Sequence, residues 1–348
     1  MTTNLPLSIT VRAENSGSHL QGIAIDEKRE FLYCSFTTCL LKCDLNGNVV
    51  GSVKGIVGHL GCIAYNPDDN MVYGSLEYKN DVIGRGIARN IGYTGEIRDG
   101  FYAVRFDVDK IDRMDMDAES DGIMEAVFLR EVYDDYSAES HRYGCSGIDG
   151  ITFAPKMGEP DGKSYLYVAY GVYGDTSRED NDHQVILCYD ISSWDSYGKA
   201  LSQTDMHRCG PDQPDAKYFV YTGNTTYGIQ NLEYDAHTVT MIAAVYPGKK
   251  EAFTNYPMFF IDCLKAPETA TLSGIGHEGL TLSVTDPLRS TKGELCGSSF
   301  PLGSTGTISL GGGYYYFAKH FHDDRGHGGV IELYRFTDTE PYFTLVTE

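Results

Sequence analysis

The chain has 348 residues and a formal net charge of −21, because 49 Asp and Glu outnumber 28 Lys and Arg. Such an excess of negative charge repels phosphate groups and argues against nucleic acids or anionic membranes as partners. Hydrophobic residues make up 41% of the chain, which is enough for a packed core and excludes global disorder. The 39 glycines and 26 tyrosines beside a single tryptophan indicate a strand-rich, turn-rich chain rather than a helical bundle.

The sequence also bears on the compartment. No apolar run approaches the roughly 18 residues that a membrane helix needs, and Met1–Pro6 lacks the basic and apolar regions of a secretory signal. Nine cysteines are an odd number and contain no Cys-x-x-Cys pair, which argues against a disulfide scaffold or a zinc ribbon. We therefore expect buried free thiols and a cytoplasmic location.

A pair of strand candidates recurs along the chain. The segments His19–Asp26 and Phe31–Phe36 return at a constant offset as His59–Asn66 and Met71–Leu76. Further copies begin at Gly147, Tyr227 and Gly306. Each copy is followed by one or two more short runs of β-branched and aromatic residues, bounded by Gly, Asp, Asn and Pro, which is typical of strands. The predicted outer strands include Val49–Lys54 and Glu125–Val132.

Four strands per unit, repeated about five times, predict an all-β fold: a single β-propeller of four-stranded blades over residues 1–348. Such a sheet cannot cover both of its faces alone, so the blades pack around a ring. We expect five blades, with six or seven as the alternative, because residues 265–303 could form a hairpin inserted in the fourth unit or a degenerate sixth blade. Inserted loops are also expected near 82–100 and 171–183, and Leu7–Val11 could close the ring as an outer strand. The inner strands are predicted near Gly22–Asp26, Cys62–Asn66, Gly150–Ala154, Gln230–Tyr234 and Thr307–Gly311.

The repeated unit resembles the loose repeats of lactonase-type and NHL-type propellers, in which an inner strand of the Gly-Ile-Ala-Φ-Asp kind precedes a Φ-Tyr-Val strand. That superfamily contains lactonases, glycosidases, lyases and binding proteins. The resemblance therefore implies the fold and not an activity.

In a propeller, the residues before each inner strand and those between the second and third strands meet at one mouth of the central channel. The longest and most polar loops of this chain lie on that face. The candidate catalytic residues there are His19, His59 and Tyr170, since imidazole and phenol groups transfer protons. The candidate substrate-binding residues are Gln21, Glu77, Tyr78, Lys79, Asp149, Tyr173, Arg178, Gln230, Tyr246 and Lys319. Tyrosine rings can stack on the apolar faces of sugars, and the basic residues could attract an anionic ligand.

Each of these residues also has a purely structural alternative. The histidines could bond to the backbone of a neighbouring blade, and the tyrosines could pack at blade edges. Gln21, Asp149 and Gln230 could satisfy buried strand ends around the channel. The basic residues could simply pair with the abundant carboxylates.

The pair His320 and His322 is the sharpest local motif, because residues i and i+2 of a strand point the same way and can aim two imidazoles at one ion. This His-x-His spacing resembles that of the oligogalacturonate lyases, cytoplasmic propeller enzymes that bind a divalent metal and cleave acidic sugars. The resemblance implies a divalent metal (Mn, Zn, Fe or Ca) held by His320 and His322, and no organic cofactor is expected. The alternative is a chance pair in a loop rich in Asp and Gly.

The leading functional hypothesis is an intracellular lyase-type enzyme acting on a small, acidic, uronate-type saccharide, as a monomer or small homo-oligomer. A histidine, His19 or His59, or a tyrosine would remove the C5 proton, with or without a metal. One alternative is a lactonase or glycoside hydrolase that uses Glu77 and Asp149. The other is a non-catalytic propeller that binds sugar or protein. No Gly-x-Ser-x-Gly motif supports a serine hydrolase.

Overall fold

The computed structural model describes residues 5–14, 19–290 and 295–347. Within these ranges the strands form five sheets, arranged as a five-bladed β-propeller. The inner strands of neighbouring blades contact one another around the central channel. The predicted all-β propeller with five blades is therefore confirmed, and no sheet of the described residues forms a sixth blade.

The first strand, β1 (Ser8–Ala13), belongs to the last blade. Blade one consists of β2 (Leu20–Ile25), β3 (Phe31–Phe36), β4 (Cys39–Asp44) and β5 (Val49–Lys54), from the channel outwards. Blade two consists of β6 (His59–Asn66), β7 (Met71–Tyr78), β8 (Gly100–Asp107) and β10 (Met124–Phe128), whereas the two-residue strand β9 (Met116–Asp117) pairs with the outer strand of blade one.

The remaining blades follow in chain order. Blade three consists of β11 (Cys145–Pro155), β12 (Ser164–Val172), β13 (His183–Tyr189) and β14 (Ala216–Tyr221). Blade four consists of β15 (Thr225–Asp235), β16 (Thr240–Pro247), β17 (Met258–Asp262) and β20 (Val284–Thr285), and between its last two strands come β18 (Glu268–Thr271) and β19 (Glu278–Leu282). Blade five consists of β21 (Thr307–Gly311), β22 (Tyr314–Asp323), β23 (Gly326–Phe336) and β24 (Phe343–Leu345), together with β1.

The ring is closed by both ends of the described chain. Strand β1 runs antiparallel to β23, from Ser8 opposite Glu332 to Ala13 opposite His327. Strand β24 pairs with the remaining part of β23, at Tyr334–Phe336. The outer position of blade five is thus shared by two short strands, and the predicted closure by an N-terminal strand is confirmed. Closure of this kind leaves fewer unpaired sheet edges.

The insertions differ from what the sequence predicts. The segment 82–100 contains helix α1 (Val82–Asn90), whose first turn is capped by the Asp81 carboxylate accepting from the Gly84 N–H. The predicted outer strand Glu125–Val132 ends at Phe128 and gives way to helix α2 (Arg130–Ser137). Both helices are too short to show sustained helical periodicity, which is why no helix is predicted from the sequence.

The segment 265–303, of which 291–294 lie outside the described residues, serves two blades. The hairpin β18–β19 adds to blade three, because β19 pairs in parallel with β14. Strand β20 then supplies the outer strand of blade four. Of the two alternatives predicted for this segment, the inserted hairpin is correct, although it extends the blade before the one in which it was expected. The predicted insertion at 171–183 is a loop between β12 and β13.

Two further expectations concern the thiols and the membrane. None of the nine cysteines forms a disulfide, and seven of them are buried. None of the helices in the described ranges is long and apolar enough to cross a membrane.

Candidate functional site

A cavity of about 210 Å³ opens at the mouth of the channel where the inner strands begin. Its volume lies below the roughly 300–1,000 Å³ of pockets for drug-sized ligands, so it suits a small molecule. Blades one to four line it through His19, Gln21, His59, Glu77, Lys79, Ile83, Ser146, Ile148, Asp149, Gly171, Tyr227, Gln230 and Tyr246. Eight of the predicted site residues are in this lining: His19, Gln21, His59, Glu77, Lys79, Asp149, Gln230 and Tyr246.

Irregularities in the inner strands direct polar side chains into the cavity. The pairing of inner with second strand skips Gln21 in blade one, Asp149 in blade three and Gln230 in blade four. A β-bulge leaves its extra residue out of the ladder and redirects the side chain. Gln21, Asp149 and Gln230 therefore all face the cavity, because each lies at a break in the regular alternation of its strand.

Blade two has a glycine at the equivalent position, and this glycine makes room for Asp149. A Cβ atom on Gly61 would lie 2.4 Å from Asp149 Oδ1 and 2.6 Å from Ser75 Oγ. The Ser75 hydroxyl donates to the Asp149 carbonyl at 2.5 Å. The Asp149 backbone is therefore bonded to blade two while its carboxyl group occupies the space that a side chain at Gly61 would fill.

Glu77 and Lys79, at the end of β7, form a buried ion pair with 2.5 Å between Lys79 Nζ and Glu77 Oε1. Lys79 also donates to the Ser146 carbonyl at 2.8 Å, and Glu77 Oε2 accepts from the Ile148 N–H at 2.9 Å. Burial disfavours both charges, but the partners outweigh it: the pKa of Lys79 is raised to about 12 and the pKa of Glu77 is lowered. The pair therefore stays charged and fastens blade two to blade three.

His59 lies against two carboxylates. Its Nδ1 is 3.5 Å from Glu77 Oε1 and 3.9 Å from Asp149 Oδ1, and this buried nitrogen has no hydrogen-bond partner among the described residues. Burial alone would lower the pKa of His59, but Asp149 and then Glu77 outweigh it and the pKa is raised. Burial raises the pKa of Asp149 to about 7, although His59 opposes that shift. His59 and Asp149 are thus a pair that can hold one proton near neutrality.

His19 has the opposite environment. Its Nδ1 lies 2.7 Å from the Leu20 carbonyl oxygen, so in the neutral ring this nitrogen carries the proton and Nε2 carries the lone pair. Burial lowers the pKa of His19, and the nearby His59 lowers it further. Between the two pKa values His19 is therefore neutral while His59 is protonated, and His19 offers an unprotonated nitrogen at the cavity wall.

The predicted metal residues lie beside the cavity, outside its lining. His320 stacks on His19 with ring centroids 3.9 Å apart, and its Nδ1 accepts from the Leu20 N–H at 3.2 Å. Its Nε2 is 3.3 Å from His327 Nδ1, and the ring of the exposed His322 lies 4.3 Å from that of His327. These rings stack in a row instead of converging on one point. No group of three or more His, Cys, Asp or Glu in the described ranges is arranged to hold a metal ion.

The predicted tyrosines mostly serve packing. Tyr170 is fully buried and its hydroxyl donates to Asp135 Oδ2 at 2.9 Å, which ties helix α2 to blade three. Tyr78 is buried and donates to Gln203 Oε1 at 2.7 Å. Tyr173 is half-buried, with its ring 5.3 Å from that of His141. The structure places none of these three in the cavity lining, and of the four candidates only Tyr246 reaches it.

Two of the predicted basic residues also lie elsewhere. Arg178 pairs with Asp180 at 2.8 Å and donates to the backbone oxygens of Ser140 and His141, which lie between helix α2 and strand β11. Lys319 pairs with Glu332 across blade five at 2.7 Å. Each matches the structural alternative, in which a basic residue is paired with a nearby carboxylate, and Lys79 is the cation that faces the cavity.

The sequence prediction missed five lining residues: Ile83 of helix α1, Tyr227 of blade four, and Ser146, Ile148 and Gly171 of blade three. Ser146 and Ile148 flank the start of the third repeat and could have been found by its register. Ile83 could not, because the helix that carries it has no counterpart in the other repeats. Tyr227 precedes the Gly-Ile-Gln segment of the fourth repeat, and its aromatic ring at that position was a usable signal.

No protein-family model and no curated protein matches this chain. Among solved structures, a Dos1 propeller matches it with 11% identity and a TM-score of 0.35, over 90% of this chain and 77% of that chain. The holo form of the pyranose dehydrogenase PQQ domain from Coprinopsis cinerea matches it with 11% identity and a TM-score of 0.39, over 89% of this chain and 81% of that chain. Likenesses this distant say nothing about activity, and the propeller fold rests on the strand pairing described above.

Proposed function

We propose that the protein is an enzyme that acts on a small saccharide by general acid–base catalysis, and that the reaction is an elimination on a uronate-type sugar. The single observation that carries this proposal is the pair of imidazoles in one cavity, His19 kept neutral and His59 kept protonated by their surroundings. Two titratable groups whose pKa values are moved apart are the usual arrangement of a base and an acid. Histidine suits both roles near neutral pH.

In this reaction His19 Nε2 removes the proton from C5, the carbon next to the sugar carboxylate. The electron pair of that C–H bond forms the C4=C5 double bond, and the C4–O bond breaks. His59, supported by Asp149, donates its proton to the departing oxygen. Each group contributes a factor of about 10²–10⁴ in rate when it is well placed.

Other residues of the cavity are proposed to bind and orient the sugar. Gln21, Gln230 and Tyr246 supply amide and hydroxyl groups along the wall. Lys79 supplies the positive charge closest to the reacting groups, although Glu77 neutralises much of it. We therefore expect the carboxylate of an acidic sugar to be attracted by one buried cation, Lys79, and not by a positively charged rim.

The divalent metal remains a prediction that rests on His320 and His322. In the geometry described above these residues do not converge on an ion, so no step is assigned to a metal. The saccharide partner, the absence of nucleic-acid and membrane partners, and a monomer or small homo-oligomer remain predictions from the sequence.

The test is to incubate the purified protein with dimers and trimers of galacturonate and of glucuronate and to follow ultraviolet absorbance of the unsaturated product. We expect absorbance to rise with the wild type and to stay flat with His19→Ala and His59→Ala. The matched control is His237→Ala, because His237 is an exposed histidine at the opposite end of blade four. A product that is released without ultraviolet absorbance would contradict elimination.

Hydrolysis is the second candidate, and the pair Glu77 and Asp149 favours it. Both carboxylates face the cavity, and their pKa values are moved in opposite directions. Glycoside hydrolysis needs one ionised and one protonated carboxyl group. Release of reducing sugar without a new double bond, lost in Asp149→Asn, would favour this function over elimination. Binding without any turnover would favour the non-catalytic alternative.

A further inference from the structure

Tyr227 has a backbone conformation that its residue type disfavours. Its φ angle is +66°, in the left-handed region that favours glycine, and the following Gly228 has a φ angle of +74°. Tyr143 and Tyr342 also have a positive φ but lie outside the strands, whereas Tyr227 lies inside strand β15. An aromatic residue in this region is strained, and such strain concentrates at functional sites.

A β-bulge creates this conformation. The pairing of β15 with β16 jumps from Thr226 to Ile229, so Tyr227 and Gly228 are left out of the ladder. A Cβ atom on Gly228 would lie 2.5 Å from the Tyr170 carbonyl oxygen, so the chain passes too close to blade three for a side chain there. The bulge therefore turns the Tyr227 ring out of the sheet and into the cavity lining.

The ring lies partly open to solvent. Tyr227 is 46% exposed, although the strand that carries it is mostly buried. The Tyr227 hydroxyl forms no hydrogen bond with any described residue, whereas the Tyr227 carbonyl accepts from Gln230. A strained conformation that exposes a large aromatic ring is costly for the fold alone and is explained by a ligand that contacts the ring.

The backbone of Tyr227 is also connected, through Gln230, to Asp149, the residue that supports the proposed acid His59. Gln230 Nε2 donates to the Tyr227 carbonyl at 3.1 Å and to Asp149 Oδ2 at 3.1 Å. One amide group therefore fixes the position of the ring relative to the carboxyl group that supports His59. Across the mouth, Ile83 of the blade-two insertion adds an apolar side chain to the lining.

We infer that Tyr227 is the platform on which the pyranose ring of the saccharide stacks, opposite Ile83 and beside Asp149. This inference rests on the proposed function and adds the residue that selects a six-membered sugar ring by its apolar C–H face. Stacking on a rigid aromatic ring adds affinity that depends on the ring and not on its hydroxyl group.

The test is titration calorimetry with three probes, namely galacturonate, glucuronate and methyl β-glucoside. We expect Tyr227→Ala to weaken binding of the sugar that the wild type binds by about tenfold, and Tyr227→Phe to change it by less than about twofold. Tyr221→Ala is the control, because Tyr221 is 39% exposed but lies on the outer strand of blade three. It should bind as the wild type does.

A thermal melt separates the strain from the stacking. Tyr227→Gly and Tyr227→Ala both lack the ring, but only glycine adopts a positive φ without strain. We expect the glycine variant to melt about 2 °C above the alanine variant. Equal melting temperatures would overturn the inference that strain is stored at this residue. Sugar binding that is unchanged in Tyr227→Ala would overturn the platform and leave the proposed function standing, whereas a wild type that binds none of the probes would overturn both.

Discussion

His19 and His59 occupy equivalent positions in the first and second repeats, and both line the same cavity. Their surroundings are nevertheless opposite. His19 Nδ1 meets the backbone oxygen of Leu20, whereas His59 Nδ1 faces the carboxylates of Glu77 and Asp149. Burial lowers the pKa of the first, and the carboxylates raise the pKa of the second. The repeat determines where a side chain points, and its neighbours determine what it can do.

The residues behind the difference can be read from the register of the two repeats. The counterpart of Glu77 in blade one is Thr37, whose backbone N–H and hydroxyl both bond to the His19 carbonyl. The counterpart of Asp149, as seen from His19, is Gly61. A hydroxyl group and a glycine therefore stand where His59 has two carboxylates. Two differences, one in the repeat of the histidine and one in the repeat that follows it, are enough to turn a proposed base into a proposed acid.

The largest expected effect is on turnover. Removal of either imidazole takes away one proton-transfer group, so His19→Ala and His59→Ala should each lower kcat by about 10²–10⁴. Initial rates with the uronate oligomer that proves to be the substrate would measure this, with His237→Ala as the control. A His19→Ala variant that keeps most of its activity would show that the two histidines are not a base and an acid.

The second effect is on stability. Glu77→Gln removes the partner of the buried Lys79 and leaves an uncompensated charge, so the free energy of unfolding should fall by about 3–5 kcal/mol. Glu332→Gln removes the partner of Lys319, which is 47% exposed, and should cost at most about 1 kcal/mol. Urea unfolding of both variants tests the contrast. Equal losses would mean that the Glu77–Lys79 pair is no more important to the fold than a surface pair.

The third effect is on the pH dependence of turnover. Because the pKa of His19 is lowered from the ordinary histidine value of 6.5, the base becomes protonated and inactive only at a pH below 6.5. Because the pKa of His59 is raised, the acid is lost as the pH rises above 6.5. The profile of kcat should therefore be bell-shaped. Asp149→Asn removes a carboxylate whose charge raises the pKa of His59, so it should move the alkaline limb to lower pH and leave the acidic limb in place.

Much of the fold could be predicted because the strands follow from local patterns, namely repeated apolar segments bounded by turn residues. The strand Val49–Lys54 is found with the predicted bounds. Each inner strand contains its predicted segment, except that Asp26 lies one residue beyond the end of β2. Helix α1 was not predicted because Gly84 and Gly86 weaken its helical propensity, although the Asp81 cap, which accepts from the Gly84 N–H, was a local signal for its start. The partner of the hairpin β18–β19 was also unpredictable, since nothing local indicates which blade edge it joins.

The site was predicted less well, and the reason is the direction of side chains. Gln21, Asp149 and Gln230 reach the cavity only because bulges interrupt the alternation of their strands. Tyr170 follows the regular alternation of β12 and points into the core towards Asp135. A sequence shows which residues are near the mouth, but a bulge of one residue decides which of them face it.

The smallest expected effect separates positioning of His19 from metal binding. His320 stacks on His19 and accepts from the Leu20 N–H, and burial lowers its pKa to about 4, so it remains a neutral acceptor. Loss of one hydrogen bond of about 1 kcal/mol predicts that His320→Ala lowers kcat about fivefold. His322 is exposed and should tolerate alanine without loss of activity. If both variants were inactive, and a chelator abolished turnover that added Mn²⁺ or Zn²⁺ restored, the His-x-His pair would hold a metal and the contrast between His19 and His59 would no longer explain the chemistry.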